Sequence, residues 1–172
     1  MTDMTIFTVG HSTHPIDEFI GLLTAHGVRI DVRTVPKSRH NPQFNADALA
    51  ASVRASGITY RRMDSLGGLR HPRKDSPNGA WRNASFRGYA DYMQTEEFST
   101  AIGQLLERGR TNNLAVMCAE AVPWRCHRSL IGDALLVRNV DVLDIMSEKS
   151  AKPHTLTSFA RVDGERVWYP AD

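Results

Sequence analysis

Five short apolar runs, the first four each followed by a stretch of helical period or a long insertion, leave this chain few folds to choose from. The runs are MTIFTVGHS from Met4, VRIDVRTV from Val28, ITYRRMDSL from Ile58, NLAVMCAE from Asn113 and VDVLDIM from Val140. Each is rich in β-branched or aliphatic residues and too short to span a layer as a helix. After the first run, Ile16, Phe19, Ile20 and Leu23 recur at the spacing of one helix face, with Asp17 and Glu18 suited to the first turn. Thr13 is the expected cap and Gly27 the expected stop. ADALAASVRAS, capped by Asn45 and closed by Gly57, is the second helix. Phe98, Ala101, Ile102, Leu105 and Leu106 form the stripe of another, and RCHRSLIGDALLVRN reads as a helix starting near Pro123. Strands alternating with helices predict an α/β fold in three layers with a mostly parallel sheet of about five strands. At 172 residues the chain is sized for a single domain, 1–172. A short hairpin is expected about Asp163 and Gly164.

A parallel sheet also predicts where a site lies, because ligands bind beyond the carboxyl ends of the strands. Those ends carry His11 and Ser12 after the first run, and Asp31 and Arg33 in the second. Asp64 with Gly67 and Gly68 follows the third, and Cys118 and Glu120 close the fourth. The alternation of a strand points Asp31 and Arg33 to one side. Arg39 and His40, just beyond Pro36, are within reach of the same edge. The plainer accounts are a structural histidine, an internal ion pair and an ordinary glycine turn.

The densest chemistry is VMCAEAVPWRCHRSL, 116–130. A helix starting near Pro123 places Arg125, Cys126, His127 and Arg128 around its first turn. Cations there oppose the helix dipole, so helix stability does not call for them, whereas a bound phosphate or carboxylate does. The alternative is that Arg125 and Arg128 pair with Glu120 or Asp133. A thiol beside arginines at a helix N-terminus titrates low, which makes Cys126 a candidate nucleophile beside Cys118. The phosphatase loop is excluded: it needs five residues between cysteine and arginine, and Cys118 and Arg125 are separated by six. Cys-x7-Cys-His is no recognised zinc pattern, although Cys118, Cys126, His127 and His11 offer metal-binding atoms. No metal site and no cofactor is assigned from the sequence.

Residues 69–88 break the periodic pattern. They are rich in Pro, Gly, Asn, Ser and Arg, and a stretch this long is expected to be a binding loop or mobile. Between Arg61 and Gly88 there are seven Lys or Arg against two Asp, in a chain whose net charge is only +2. Trp81, Phe86 and Tyr89 interleave with Arg82 and Arg87. That pattern can serve base stacking, but the favoured reading is an amphipathic loop packing its aromatics on its own domain.

Two cysteines make no disulfide framework, and no apolar run approaches the length needed to cross a bilayer. The N-terminus has no basic and long apolar segments in series, so the expectation is a cytoplasmic protein with reduced thiols and no membrane partner. The expected partner is an anionic small molecule or nucleic-acid component. The alternatives are a non-catalytic nucleic-acid module using 61–88, and a metal-dependent enzyme or sensor using Cys118, Cys126 and His127.

The chain resembles the family known as domain of unknown function 488. The likeness rests on TVGHS, DVRTVPKSR, LGG, CAEAVPWRCHR and KPHTLTSFAR, and so runs through essentially the whole sequence. It implies a small α/β protein and points to the same junction residues. It implies no reaction.

Overall fold

The structure is a computed structural model that describes residues 4–34, 46–67, 70–118 and 126–171. Its elements in order are β1 (Thr5–Gly10), α1 (Ile16–Ala25), β2 (Ile30–Arg33), α2 (Ala46–Ala55), β3 (Thr59–Arg62), α3 (Ala84–Tyr92), α4 (Glu96–Gly109), β4 (Leu114–Cys118), α5 (Arg128–Leu136), β5 (Asp141–Ser147), β6 (Ser150–Pro153), β7 (Arg161–Asp163) and β8 (Arg166–Trp168). The main sheet runs β3-β2-β4-β1-β5-β6. The first five strands are parallel, and β6 adds antiparallel to β5. The fold is therefore the expected single α/β domain, with one further strand. β6 has no apolar alternation to betray it: its sequence is SAKP, and it lies at an edge where charge and proline protect against further pairing. β7 and β8 form the separate hairpin, turning at Gly164.

Two apolar layers flank the sheet. On one side Phe19, Leu22 and Leu23 of α1 and Leu49 and Val53 of α2 cover Phe7, Val9, Ala115 and Met117. On the other, Phe98, Ala101, Ile102 and Leu105 of α4 and Leu130, Ile131, Ala134 and Leu135 of α5 cover Ile6, Val32, Leu114 and Val116. The central β4 is buried at all five positions, whereas edge strand β3 buries only Tyr60. Among the described residues no helix is long and apolar enough to cross a membrane.

Three local expectations are corrected. Pro15, not Thr13, precedes α1, and no side chain caps it; proline already supplies an extended residue with no N–H to satisfy. Helix returns at Ala84, capped by Asn83 through the N–H groups of Ser85 and Phe86, so the irregular segment is shorter than 69–88. Sequence patterning has helix returning only near Tyr89 and running on through the Phe98–Leu106 stripe; a second cap at Thr95 divides this region into α3 and α4.

The irregular segment is a packed strap. The buried Asp91 carboxylate accepts from Arg73 N–H at 2.7 Å, Ser76 Oγ at 2.6 Å and Asn78 Nδ2 at 2.7 Å. Asn78, fully buried, accepts in turn from Tyr169 N–H, while Ala80 N–H donates to Tyr169 O. Trp81 makes edge contacts with Phe86, Phe159 and Tyr169. Several cations of the 61–88 region are also engaged. Arg62 pairs with Asp64 and Arg73 with Asp75, Arg70 lies 3.6 Å over the Tyr92 ring, and Arg87 donates to the carbonyls of Trp81 and Arg82. The aromatic side chains of this region are thus packed on the domain, while Arg61, Arg62, Arg73, Lys74 and Arg82 stay exposed.

Candidate functional site

β1 and β4 are neighbours, and their last residues, Gly10 and Cys118, are register partners. After β1 the chain turns to α1 on one face of the sheet; α5, which follows β4, packs on the other. Adjacent strands whose helices part to opposite faces leave a crevice at their carboxyl ends. His11 N–H donates to Cys118 O at 2.9 Å, extending the pairing one step beyond β1. Ser12 follows with φ +48°, a left-handed conformation that non-glycine residues seldom adopt. On the other side of β4, Arg33 is the partner of Met117.

His11 and Arg33 are buried near this edge, whereas Asp31, expected at the strand end, lies deeper in the sheet: it is buried on the same face of β2 as Arg33 but pairs in register with Ala115, three steps before Cys118. Burial holds the His11 ring down at about 4, with Arg33 adding to the effect, so it is neutral at ordinary pH. Burial raises the Asp31 carboxyl to about 7 against the pull of Arg33. Among the described residues neither Asp31 oxygen has a hydrogen-bond partner. Burial also draws the Arg33 guanidinium below its usual value, against the opposing influence of Tyr60 and Asp31.

The thiols lie on the α5 side. Cys118 and Cys126 Sγ are 2.8 Å apart, and both residues are buried. Cys126 is fixed by a tight turn: its carbonyl accepts from both the N–H and the Oγ of Ser129. Its Sγ faces His127 Nδ1 at 3.5 Å, and His127 Nε2 is 3.2 Å from Thr34 Oγ1. Thr34 donates its hydroxyl to Met117 O, so it accepts from Nε2–H. That assignment leaves Nδ1 facing sulfur as the acceptor, able to take the thiol proton. Its hydrogen bond with Cys118 holds the Cys126 thiol well below its ordinary range despite burial, with His127 and the Arg128 backbone N–H assisting.

The helix expected near Pro123 begins at Arg128. Cys126 and His127 therefore precede it, because the Ser129 turn closes on Cys126 before the helical ladder starts. Arg128 is fully buried, and its Nη1 donates to Thr8 Oγ1 at 3.1 Å; Thr8 donates to Asp144. Its guanidinium is thus engaged beneath β1. Asp133, the suggested partner for the arginines, instead accepts from His154 Nε2 at 3.0 Å, Thr157 N–H at 3.1 Å and Tyr169 OH at 2.7 Å. His154 Nδ1 reaches Asp144 Oδ2 at 3.2 Å. Gly132 makes room for this ring: a Cβ there meets the imidazole at 2.8 Å.

This buried Thr8–Arg128–Asp144–His154–Asp133 network is absent from the sequence reading. Its only signal is the histidine in KPHTLTSFAR, and its partners come from distant elements. Burial opposes charge on His154, but the hydrogen bonds to Asp133 and Asp144 outweigh it and raise the ring to about 9. A proton bound more tightly in the folded chain stabilises it below the unfolded value of 6.5, and that contribution disappears as pH rises through about 9. His154→Gln is expected to cost about 3 kcal/mol near pH 6, with the deficit shrinking towards about pH 10. Urea unfolding at the two pH values measures it; an equal deficit at both contradicts the charged triad.

Gly67 packs where a Cβ meets the carbonyls of Asp64 and Thr34 at 3.0 Å, so close backbone approach explains the glycine. Arg39, His40, Asn45, Gly68, Glu120, Pro123 and Arg125 lie outside the described residues. Among the described residues no group of three or more His, Cys, Asp or Glu converges as a metal site. The family model described as domain of unknown function DUF488 matches residues 15–135. No curated protein and no solved structure matches.

Proposed function

The chain belongs to the DUF488 family, and on that premise we propose that it binds a phosphorylated or otherwise anionic small ligand, a nucleotide or nucleic-acid component, at the carboxyl edge of β1, β4 and β2, and acts on it through Cys126. The observation that carries this reading is the switch point at Gly10 and Cys118. Support comes from buried His11 and Arg33 on one side of this switch point, with Asp31 deeper on the same face of β2, and from Cys118, Cys126 and His127 on the other. Arg33, Arg125 and Arg39 supply positive charge, with the first N–H groups of α5 nearby. His127 takes the thiol proton, and Cys126 attacks as the thiolate. His11, neutral at ordinary pH, and Glu120 handle protons on the ligand, while Ser12, Gly67 and Gly68 contribute backbone and hydroxyl contacts. This chemistry needs reduced thiols, which suits a reducing compartment such as the cytoplasm.

A charge-assisted hydrogen bond contributes about 1.5–3 kcal/mol, or roughly ten- to 150-fold in affinity. Arg125→Ala is therefore expected to weaken binding of orthophosphate or of one member of a nucleotide panel by that factor, with melting unchanged. Calorimetric titration of both proteins reads it. No heat from any of these ligands with the wild-type chain, or equal affinity in the variant, removes the anion site.

A further inference from the structure

We propose that Cys118 and Cys126 are a peroxide-reactive dithiol: a small hydroperoxide oxidises Cys126 to the sulfenic acid, and Cys118 closes it to an intramolecular disulfide. The inference goes beyond ligand binding and does not depend on it. It starts from the 2.8 Å between the two sulfurs. A disulfide bond is about 2.05 Å long, so the pair is short of bonding by less than an ångström. The sulfurs also come from two anchored places. Cys118 ends the central strand, paired to β1 and held through its carbonyl by His11 N–H. Cys126 sits in the Ser129 turn at the head of α5.

Burial selects the oxidant. Cys126 is 8% exposed and Cys118 2%. A bulky disulfide must align its S–S bond with the attacking sulfur, which such burial resists; hydrogen peroxide or a small alkyl hydroperoxide needs far less room. The two cysteines also differ in role. Cys126 faces His127 Nδ1, which takes its proton, whereas Cys118 stands as the second thiol.

The chemistry balances within this set. The Cys126 thiolate attacks the distal peroxide oxygen, the O–O bond breaks, and the leaving alkoxide takes the proton held on His127 to become an alcohol. Sulfur is oxidised by two electrons, and the peroxide is reduced. The Cys118 sulfur then attacks Cys126 Sγ of the sulfenic acid, the S–O bond breaks, and hydroxide leaves with the Cys118 proton as water. Two thiols and one hydroperoxide give one disulfide, one alcohol and one water. A thiol reductant reverses the change. The oxidised form has no thiolate at Cys126.

The test uses the full chain, reduced and freed of reductant, with stoichiometric hydrogen peroxide. Both free thiols are expected to disappear, with the mass falling by two hydrogen atoms. Peptide mapping then finds Cys118 joined to Cys126, and dithiothreitol restores both thiols. Cys118→Ser is expected to accumulate a sulfenic acid at Cys126 that dimedone traps. Cys126→Ser is expected to leave Cys118 unreacted. Persistence of both thiols in the wild-type chain overturns the proposal, as does oxidation to sulfinic or sulfonic acid without the internal link, or linkage only between chains. Glutathione disulfide reacting as fast as peroxide overturns the choice of oxidant. The wild-type mass and linkage decide the matter even where a variant fails to fold. Phosphate titration of the reduced protein scores the ligand reading separately.

Discussion

Arg128→Ala is expected to lower the melting temperature by about 6–20 °C at neutral pH, corresponding to about 3–5 kcal/mol for a domain of this size. Arg128 is among the largest fully buried side chains, so the truncation opens a cavity beside β1. It also removes the donor to Thr8, whose hydroxyl continues to Asp144, and a buried polar group that loses its partner costs about 1–3 kcal/mol. Arg128→Met refills much of the volume without restoring the donor. It is expected to recover part of the loss, and the difference between the variants separates cavity from hydrogen bonding. The result bears directly on function. As a first-turn cation aimed outward, Arg128 would leave the fold intact when removed and weaken anion binding instead. Unchanged melting with lost phosphate binding in Arg128→Ala contradicts the buried role given to it here.

Asp31→Asn is expected to stabilise the protein above about pH 7 by up to about 4 kcal/mol, or about 8–16 °C in melting temperature. The folded chain holds the Asp31 proton up to about 7, against 3.8 for the ordinary carboxyl. Between those values the folded state binds more protons than the unfolded one, so stability falls as pH rises through the window. At about 1.36 kcal/mol for each pH unit, the loss is complete above pH 7. Asparagine keeps the shape and carries no charge. The two proteins should therefore differ little in this respect near pH 4 and most near pH 8. Melting curves that run parallel across that range contradict the raised carboxyl. The comparison also isolates what Asp31 contributes to the site: ligand binding lost in a variant that melts higher identifies an acid retained at the expense of stability.

How much of this was legible depends on the distance over which each feature is written. The strand of Ile6 to Val9, the α1 face of Phe19 and Leu23, the α4 stripe and the hairpin at Gly164 all follow from residues within one or two turns of each other. The grouping of Cys118 with Cys126 was visible as well, because seven residues separate them at a strand–helix junction. The packing of the strap's aromatics was likewise the favoured reading, but the anchors of the strap were not legible. Its anchors are Asp91 and Tyr169, one in the following helix and the other near the end of the chain, and neither imposes a local period.

By itself the sequence determined the alternation of strands and helices, and with it an α/β domain whose chemistry collects at strand ends. Periodicity carries that much because burial of one face acts on every turn of a helix and every second residue of a strand. Only the tertiary structure decided the order β3-β2-β4-β1-β5-β6, and with it that the switch point falls at Gly10 and Cys118. It decided too that Arg128 turns inward to Thr8, that His154 bridges Asp133 and Asp144, and that two sulfurs come within 2.8 Å. The physical reason is common to all of these. A buried polar group must find its partner wherever the packed chain supplies one, and Thr8 and Asp144, 136 residues apart, share no pattern that a linear reading can detect.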